Sequence, residues 1–465
     1  MSIKRMIIIV SLVLTISLLI ASCGILNPSG EPSEEFINTS VAETVNAQNP
    51  ATDQPIVVET PSPQVNLPTE APTLTEEPAT PTLAVAFVSP DHNAFFWSEA
   101  MAAPLQLTNT GDVREAIISS DGKRIAMLRS TDWVTYSIEI INSDGSDLRT
   151  LIAVSGFDAL PRPADAIASA PAHVSWVPQT GQLAMSIRYA YEGPGSPIGD
   201  TFYLIDPNTA ALSSPMTIDA GWSWDYTYSP DGSLIAISRP EGMDIYKADG
   251  SLVAADVITF PFVNTASEYA FLPMPTWSVD ESALAVVVPP QDPWSLTPAE
   301  SSVYYWELGQ STPNAQLKFT APMTYWPMEI ASIAPDLSQL VYLVREGAPE
   351  DNVYALNLVN LDGSGTQQIA DGELHNLPDW STDSRLFYYH SDTADSFIVQ
   401  PGSTPVVVPA FNQVRNVQWV DGEHFIGASG TESDWQLLLG STNAPAQVIY
   451  SSASTEDQIR FTINR

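Results

Sequence analysis

One short phrase recurs through this chain, and its recurrence decides the fold. Tyr228-Ser229-Pro230-Asp231-Gly232 runs into Ser233-Leu234-Ile235-Ala236-Ile237-Ser238. That is an aromatic-led strand, a turn, and a second apolar strand with Ala at its centre. Proline cannot donate to a ladder and glycine tolerates positive φ, so Pro-Asp-Gly closes the two strands into a hairpin. The same plan reappears where Ile117–Gly122 leads to Ile125–Leu128, Ser175–Gly181 to Leu183–Ser186, and Thr276–Asp280 to Leu284–Val287. It appears again where Ser332–Asp336 leads to Leu340–Leu343, Asp379–Asp383 to Leu386–Tyr389, and Gln418–Gly422 to Phe425–Gly427.

Copies spaced by roughly 40–60 residues have the period of a propeller blade. A second hairpin follows each; Ser137–Ile141, a turn at 142–145 and Leu148–Ile152 is typical. Four strands per unit, with no long 3.6-residue period anywhere after residue 83, predict an all-β chain built as one β-propeller. The pattern resembles the TolB-like, WD-type propeller repeats, whose phrase is aromatic-Ser-Pro-Asp-Gly. The copies at 228–232 and 119–122 lie close to it, while those at 279–282 and 334–337 have lost the Gly. Ahead of the first full copy, 84–89, 93–98 and 105–108 read as the last three strands of a further blade. The tail 458–463 supplies its missing first strand. Stitching the termini together removes the open edge of a linear array. This gives eight four-stranded blades; seven with an accessory hairpin is the alternative.

The first 22 residues read as a signal peptide. Lys4 and Arg5 precede an apolar run from Met6 to Ile20, shorter than the roughly 20 residues a membrane span needs. The run ends in Ile20-Ala21-Ser22-Cys23, which resembles a bacterial lipoprotein signal. The resemblance implies lipidation of Cys23, a mature chain that begins there, and an extracytoplasmic, membrane-anchored location. With more than one acyl chain such an anchor is stable. Cys23 is the sole cysteine, so no intramolecular disulfide is possible. Residues 23–82 carry ten prolines and nine acidic residues but no Lys or Arg, a composition that buries little and predicts a disordered linker. The propeller then occupies 83–465.

Charge narrows the partners. Seventeen Lys and Arg against 54 Asp and Glu give −37, which repels phosphate backbones and excludes nucleic acid. No cofactor or metal is expected. His92, His173, His375, His390 and His424 are scattered without metal-ligand spacing, and neither a P-loop nor a dinucleotide fingerprint occurs. Asn142-Ser143-Asp144-Gly145-Ser146-Asp147 lacks the ligand set of a calcium loop and reads as a hairpin turn. Gly195-Ser196-Pro197-Ile198-Gly199 has the wrong spacing for a nucleophile elbow. The peptidase domain that follows many TolB-like propellers is not expected in the roughly 15 residues after the last blade.

In a four-strand meander, the loop between strands two and three and the link between blades emerge on one face; the other turns lie opposite. Here the first face carries every long segment: 153–173, 188–201, 219–226, 260–275, 288–302 and 320–330. They are rich in aromatics, among them Tyr189, Tyr191, Trp222, Trp224, Tyr269, Trp294, Tyr325 and Trp326. Loops on a rigid scaffold carry function, and clustered exposed aromatics mark contact surfaces, so these eight are the candidate binding face. Trp176, Tyr228, Trp277, Trp380 and Trp419, which end the first strands, are expected to pack between blades instead. The functional expectation is a non-catalytic, membrane-anchored scaffold for a protein, peptide or glycan. The alternative is a propeller glycosidase or lyase with carboxylates at the channel mouth.

Overall fold

The computed structural model describes residues 82–464 except 193–196, 220–222, 267–268, 295–298, 311–313, 326–329, 349–352, 373–376, 378, 382–383, 385–386, 391–395, 401, 405, 409–413, 432–433, 443 and 454–456. The signal peptide, Cys23, the linker through residue 81, Trp222, Trp326 and His375 lie outside the described residues.

Eight four-stranded sheets fill the described chain, all of their pairings antiparallel. Seven are runs of four consecutive strands, and the eighth is composite. In it Ala84–Val88 is flanked by Ala94–Ser98 on one side and by the C-terminal Arg460–Ile463 on the other, with Leu105–Gln106 outermost. The molecule is thus a propeller of seven sequential blades and one composite blade. Two small elements sit in the long segments: a helix, Val154–Asp158, and a hairpin of Asn264–Ala266 with Tyr269–Ala270.

Ring closure rests on registered pairing of Val85 with Ile463 through Val88 with Arg460. Where other blades have a turn, this one has a side chain. Asn464 Oδ1 accepts from the Ala84 amide at 2.7 Å, and its Nδ2 donates to the Thr82 carbonyl at 3.1 Å. Phe87, Phe461 and Ile463 are buried in one cluster with Ile426 and Leu437 of the preceding blade.

The recurring phrase has a chemical explanation. Ser119, Ser229 and Ser278 each donate Oγ to the Asp two residues on, at 2.6, 2.7 and 2.7 Å. Each Asp accepts the amide two residues further, from Lys123, Ser233 or Ser282. The serine Oγ in turn accepts the amide that opens the second strand, from Arg124, Leu234 or Ala283. Three residues therefore satisfy the polar groups of a tight turn internally. Gly122 and Gly232 complete it at φ +69° and +73°. A Cβ at Gly232 would lie 2.7 Å from the Pro178 carbonyl of the previous blade, so glycine is needed there twice over.

The first-strand aromatics behave as expected. Trp176 donates Nε1 to Ile117 O at 2.9 Å and Trp380 to Ser332 O at 3.0 Å, each reaching the inner strand of the preceding blade. Trp277 and Trp419 are buried, and Tyr228 rests against Phe202 and Tyr226. The alanines of the second strands make room for this. Ala184 shares a cluster with Tyr226 of the next blade, and Ala236 with Trp277. A bulkier residue there would force the blades apart.

Candidate binding face

The inner strands, which line the axis, are Val113–Ile118, Ala168–Trp176, Asp225–Tyr228, Thr276–Trp277, Ala331–Ile333, Asp379–Trp380, Val414–Trp419 and Arg460–Ile463. They begin at the long-loop face and end at the short turns. The loops of that face knit to one another through the backbone, for example Val113 N to His92 O at 3.0 Å and Ser130 N to Asp112 O at 2.8 Å.

Of the eight aromatics expected on this face, the structure divides six. Tyr269 and Trp294 are open, 51% and 55% exposed. Trp294 is also held: its Nε1 donates to Thr265 O at 2.5 Å, and its ring meets Tyr325 edge-to-face at 5.1 Å. Thr265 belongs to the same small hairpin as Tyr269 and donates its hydroxyl to the Tyr269 carbonyl. The structure thus brings Tyr269, Trp294 and Tyr325 into one neighbourhood.

Two residues are corrected. Tyr325, 4% exposed, is the packing partner beneath Trp294 rather than a contact residue. Trp224, 2% exposed, donates Nε1 to Gly199 O at 2.7 Å and lies among Phe202 and Tyr226. Their loops turn inward because burying so large a ring outweighs leaving it in water, by about 2–3 kcal/mol each. Tyr189 is half-buried and donates its hydroxyl to Pro161 O, tying one long segment down. Desolvation and the charge of Asp200 push its phenol above the usual range. Tyr191 is half-buried as well, its phenol raised by desolvation and by Asp165.

Sequence reasoning missed a second open indole. Trp133, 50% exposed, sits in the short loop between the second and third strands of the first sequential blade. The loop is rigid for a local reason. Asp132 accepts from the amides of Val134 and Thr135 and from the Thr135 hydroxyl, and these bonds push its carboxyl down to about 2. The Trp133 amide donates to Ser130 Oγ at 2.8 Å. Ser130-Thr131-Asp132 is a turn-forming phrase that marks this loop, but at seven residues, 130–136, it is shorter than the long segments of the same face.

Three residues before the last position of four inner strands stand Glu115, His173, Asp225 and Arg460. His173 Nδ1 lies 2.6 Å from Asp225 Oδ1, and its ring stacks on Tyr226 at 4.4 Å. Among the described residues, no group of three His, Cys, Asp or Glu could hold a metal. Desolvation and a hydrogen bond with Asp231 push the Glu281 carboxyl up, but that pair belongs to the short turns of the opposite face.

The turn at 142–147 spends the carboxylate of Asp144 internally, since it accepts both the amide and the hydroxyl of Ser146. No helix of the described residues is long and apolar enough to cross a membrane.

No family model matches the chain, and no curated protein matches it. Among solved structures, the fold is similar to a eukaryotic initiation factor at 14% identity and TM-score 0.46, covering 80% of this chain and 85% of that one. It is similar to TolB from Acinetobacter baumannii at 18% identity and TM-score 0.32, covering 64% and 68%. It is also similar to oligogalacturonate lyase from Vibrio parahaemolyticus at 13% identity and TM-score 0.41, covering 69% and 84%. At these values nothing about activity or partner follows.

Proposed function

We propose that this chain is a binding scaffold, held to a membrane by lipid on Cys23, that offers its long-loop face to a protein, peptide or glycan. The observation that carries the reading is that this face holds indoles which are both half-exposed and fixed in place. Trp294 is fixed by Thr265 and Tyr325, and Trp133 by its own loop. Aromatics immobilised in the free protein lose little entropy on contact, which suits binding hot spots. Thr82 is bonded to Asn464 at the short-turn side of the composite blade.

The test replaces Trp294 and Tyr269 by alanine in the full chain and measures retention of envelope components and of arrayed glycans. Loss of a specific ligand with an unchanged fold supports the reading. Ligand retention unaffected by both replacements rejects this face. Radiolabelled palmitate incorporation that disappears in Cys23→Ser checks the anchor.

One observation favours a catalytic reading, the His173–Asp225 pair on the channel wall. A carboxylate-oriented histidine is suited to proton transfer. Turnover of any glycan substrate that is lost in His173→Gln, while Trp294→Ala leaves it intact, would replace the scaffold reading.

A further inference from the structure

The corner where the composite blade meets the first sequential blade has an unusual charge arrangement. Val113 pairs with Arg129 and Glu115 with Leu128, so Arg114 is the extra residue of a β-bulge. Bulges fall at the same place, four residues before the strand's end, at Ala172 and Arg415. Such an insertion re-aims a side chain, and bulges concentrate beside functional sites.

Arg114 is only 7% exposed. Its Nε donates to Ser130 O at 2.9 Å, while among the described residues its two terminal nitrogens donate to nothing and no carboxylate pairs with it. Its neighbour Arg129, by contrast, holds both Asp112 and Glu139. In a chain with 54 acidic residues, a buried guanidinium without a carboxylate is a donor left for something else, because a buried charge is normally paired.

Above it lies Trp133, its ring centroid 3.9 Å from the Arg114 guanidinium carbon and 5.8 Å from that of Arg460. His92 meets the same ring edge-on at 6.3 Å. Trp133 adopts φ 63°, a left-handed conformation that a bulky side chain rarely takes. Such strain is kept where the surrounding structure, here the Asp132 turn, enforces it, and it clusters at ligand clamps.

Resting on the reading that the long-loop face binds ligands, we infer that Arg114 and Trp133 form a receiving site for an acidic peptide, taking a carboxylate beside an aromatic or aliphatic side chain, with Arg460 adding positive charge at its edge while it holds Asp457. Two cations beneath the indole disfavour a cationic ligand on it. The nearby carboxylates are spent: Asp132 within its own turn, Asp112 on Arg129 and Thr110, and Asp457 on Arg460, whose guanidinium also donates to the Arg114 carbonyl at 3.0 Å. No ring of acceptors therefore remains to gather sugar hydroxyls. What remains is the terminal N–H of Arg114, an open indole face, and the exposed Val134 beside it. An acid and an apolar group, adjacent, match that set.

The experiment titrates the full chain with two acetylated dipeptide amides, Phe-Glu and Phe-Gln, by calorimetry. A charge-assisted bond predicts preference for Phe-Glu by about tenfold or more. Arg114→Gln is expected to erase that preference, Arg114→Lys to keep part of it, and Trp133→Ala to weaken both peptides about tenfold. Equal affinity for the two peptides, or no binding of either at millimolar concentration, overturns the proposal. So does an acid preference that survives Arg114→Gln. If Arg114→Gln does not fold, the peptide pair and Trp133→Ala carry the test alone. Trp294→Ala separates the two readings: loss of envelope or glycan ligands there, with no dipeptide effect of Trp133→Ala, keeps the face and rejects the corner.

Discussion

The two faces of the disc spend their polar groups differently. On the short-turn face, side chains close their own turns. Ser229 serves Asp231 and Leu234, and Asp144, Asp249 and Asp362 each hold the serine two residues on, with 2.9 Å to its amide. On the long-loop face, indoles stand half-open and Arg114 keeps unspent donors. Both faces are made by the same four-strand repeat. The difference teaches that the repeated phrase is scaffold chemistry, whereas side chains left open to a partner lie where copies diverge.

The largest way to break that comparison is to open the ring, since both faces depend on it. Phe461→Ala removes a buried ring from the composite blade and is expected to cost about 3–5 kcal/mol, read by urea unfolding. Unchanged stability would mean that the C-terminal strand does not close the propeller. Next comes the turn itself. Ser229→Ala strands the Leu234 amide, whose partner is the serine Oγ at 2.9 Å, and is expected to cost about 1–3 kcal/mol with ligand binding untouched. A loss of binding in this variant at full occupancy of the folded state would contradict the division between faces.

Most of the scaffold was legible in the sequence because it obeys local rules. The segments at 84–89, 93–98, 105–108 and 458–463 carry strand patterning and turn punctuation, and they do form one sheet. Trp176 and Trp380 recur at one strand position, so their inter-blade role could be read from periodicity. The candidate binding face was legible only as a set of loops. Whether an aromatic there points out or in is decided by contacts between distant segments. Trp224 turns toward Gly199 and Phe202, and Tyr325 lies under Trp294, for reasons no local pattern encodes. Arg114 was illegible for another reason: one inserted residue in a strand changes which side chains face the axis, and alternation alone does not locate the insertion.

The long-loop counterpart of the turn variant is Trp294→Ala. Its ring is 55% exposed, so the expected stability loss is under about 1 kcal/mol, seen as a near-unchanged urea midpoint. Ligand loss without stability loss here, against stability loss without ligand loss for Ser229→Ala, is the sharpest form of the comparison. A midpoint shift as large as that of Ser229→Ala would make Trp294 a packing residue like Tyr325.

The smallest effect is a pH effect, and it separates the faces by a carboxylate's task. On the short-turn face, the Ser282 hydroxyl first and then that of Ser278 hold Asp280 below its usual range; the Ser146, Ser251 and Ser364 hydroxyls do the same for Asp144, Asp249 and Asp362. On the long-loop face, the amides of Thr135 and Val134 bring Asp132 down to about 2. A carboxyl lowered in the folded state stabilises fully above its unfolded value, near 4, and that contribution fades as pH falls through the folded value. Stability is therefore expected to drop between about pH 4 and pH 2 with no such loss between pH 8 and pH 5. Within that window the Trp133 loop is expected to hold at pH 3 and loosen only near pH 2, followed by collisional quenching of Trp133 in a variant lacking Trp294, the other indole that is at least half-exposed among the described residues. Asp132→Ala should bring the pH 2 quenching to neutral pH. Quenching that instead tracks global unfolding at every pH would show that the loop owes its order to the blades rather than to its own aspartate.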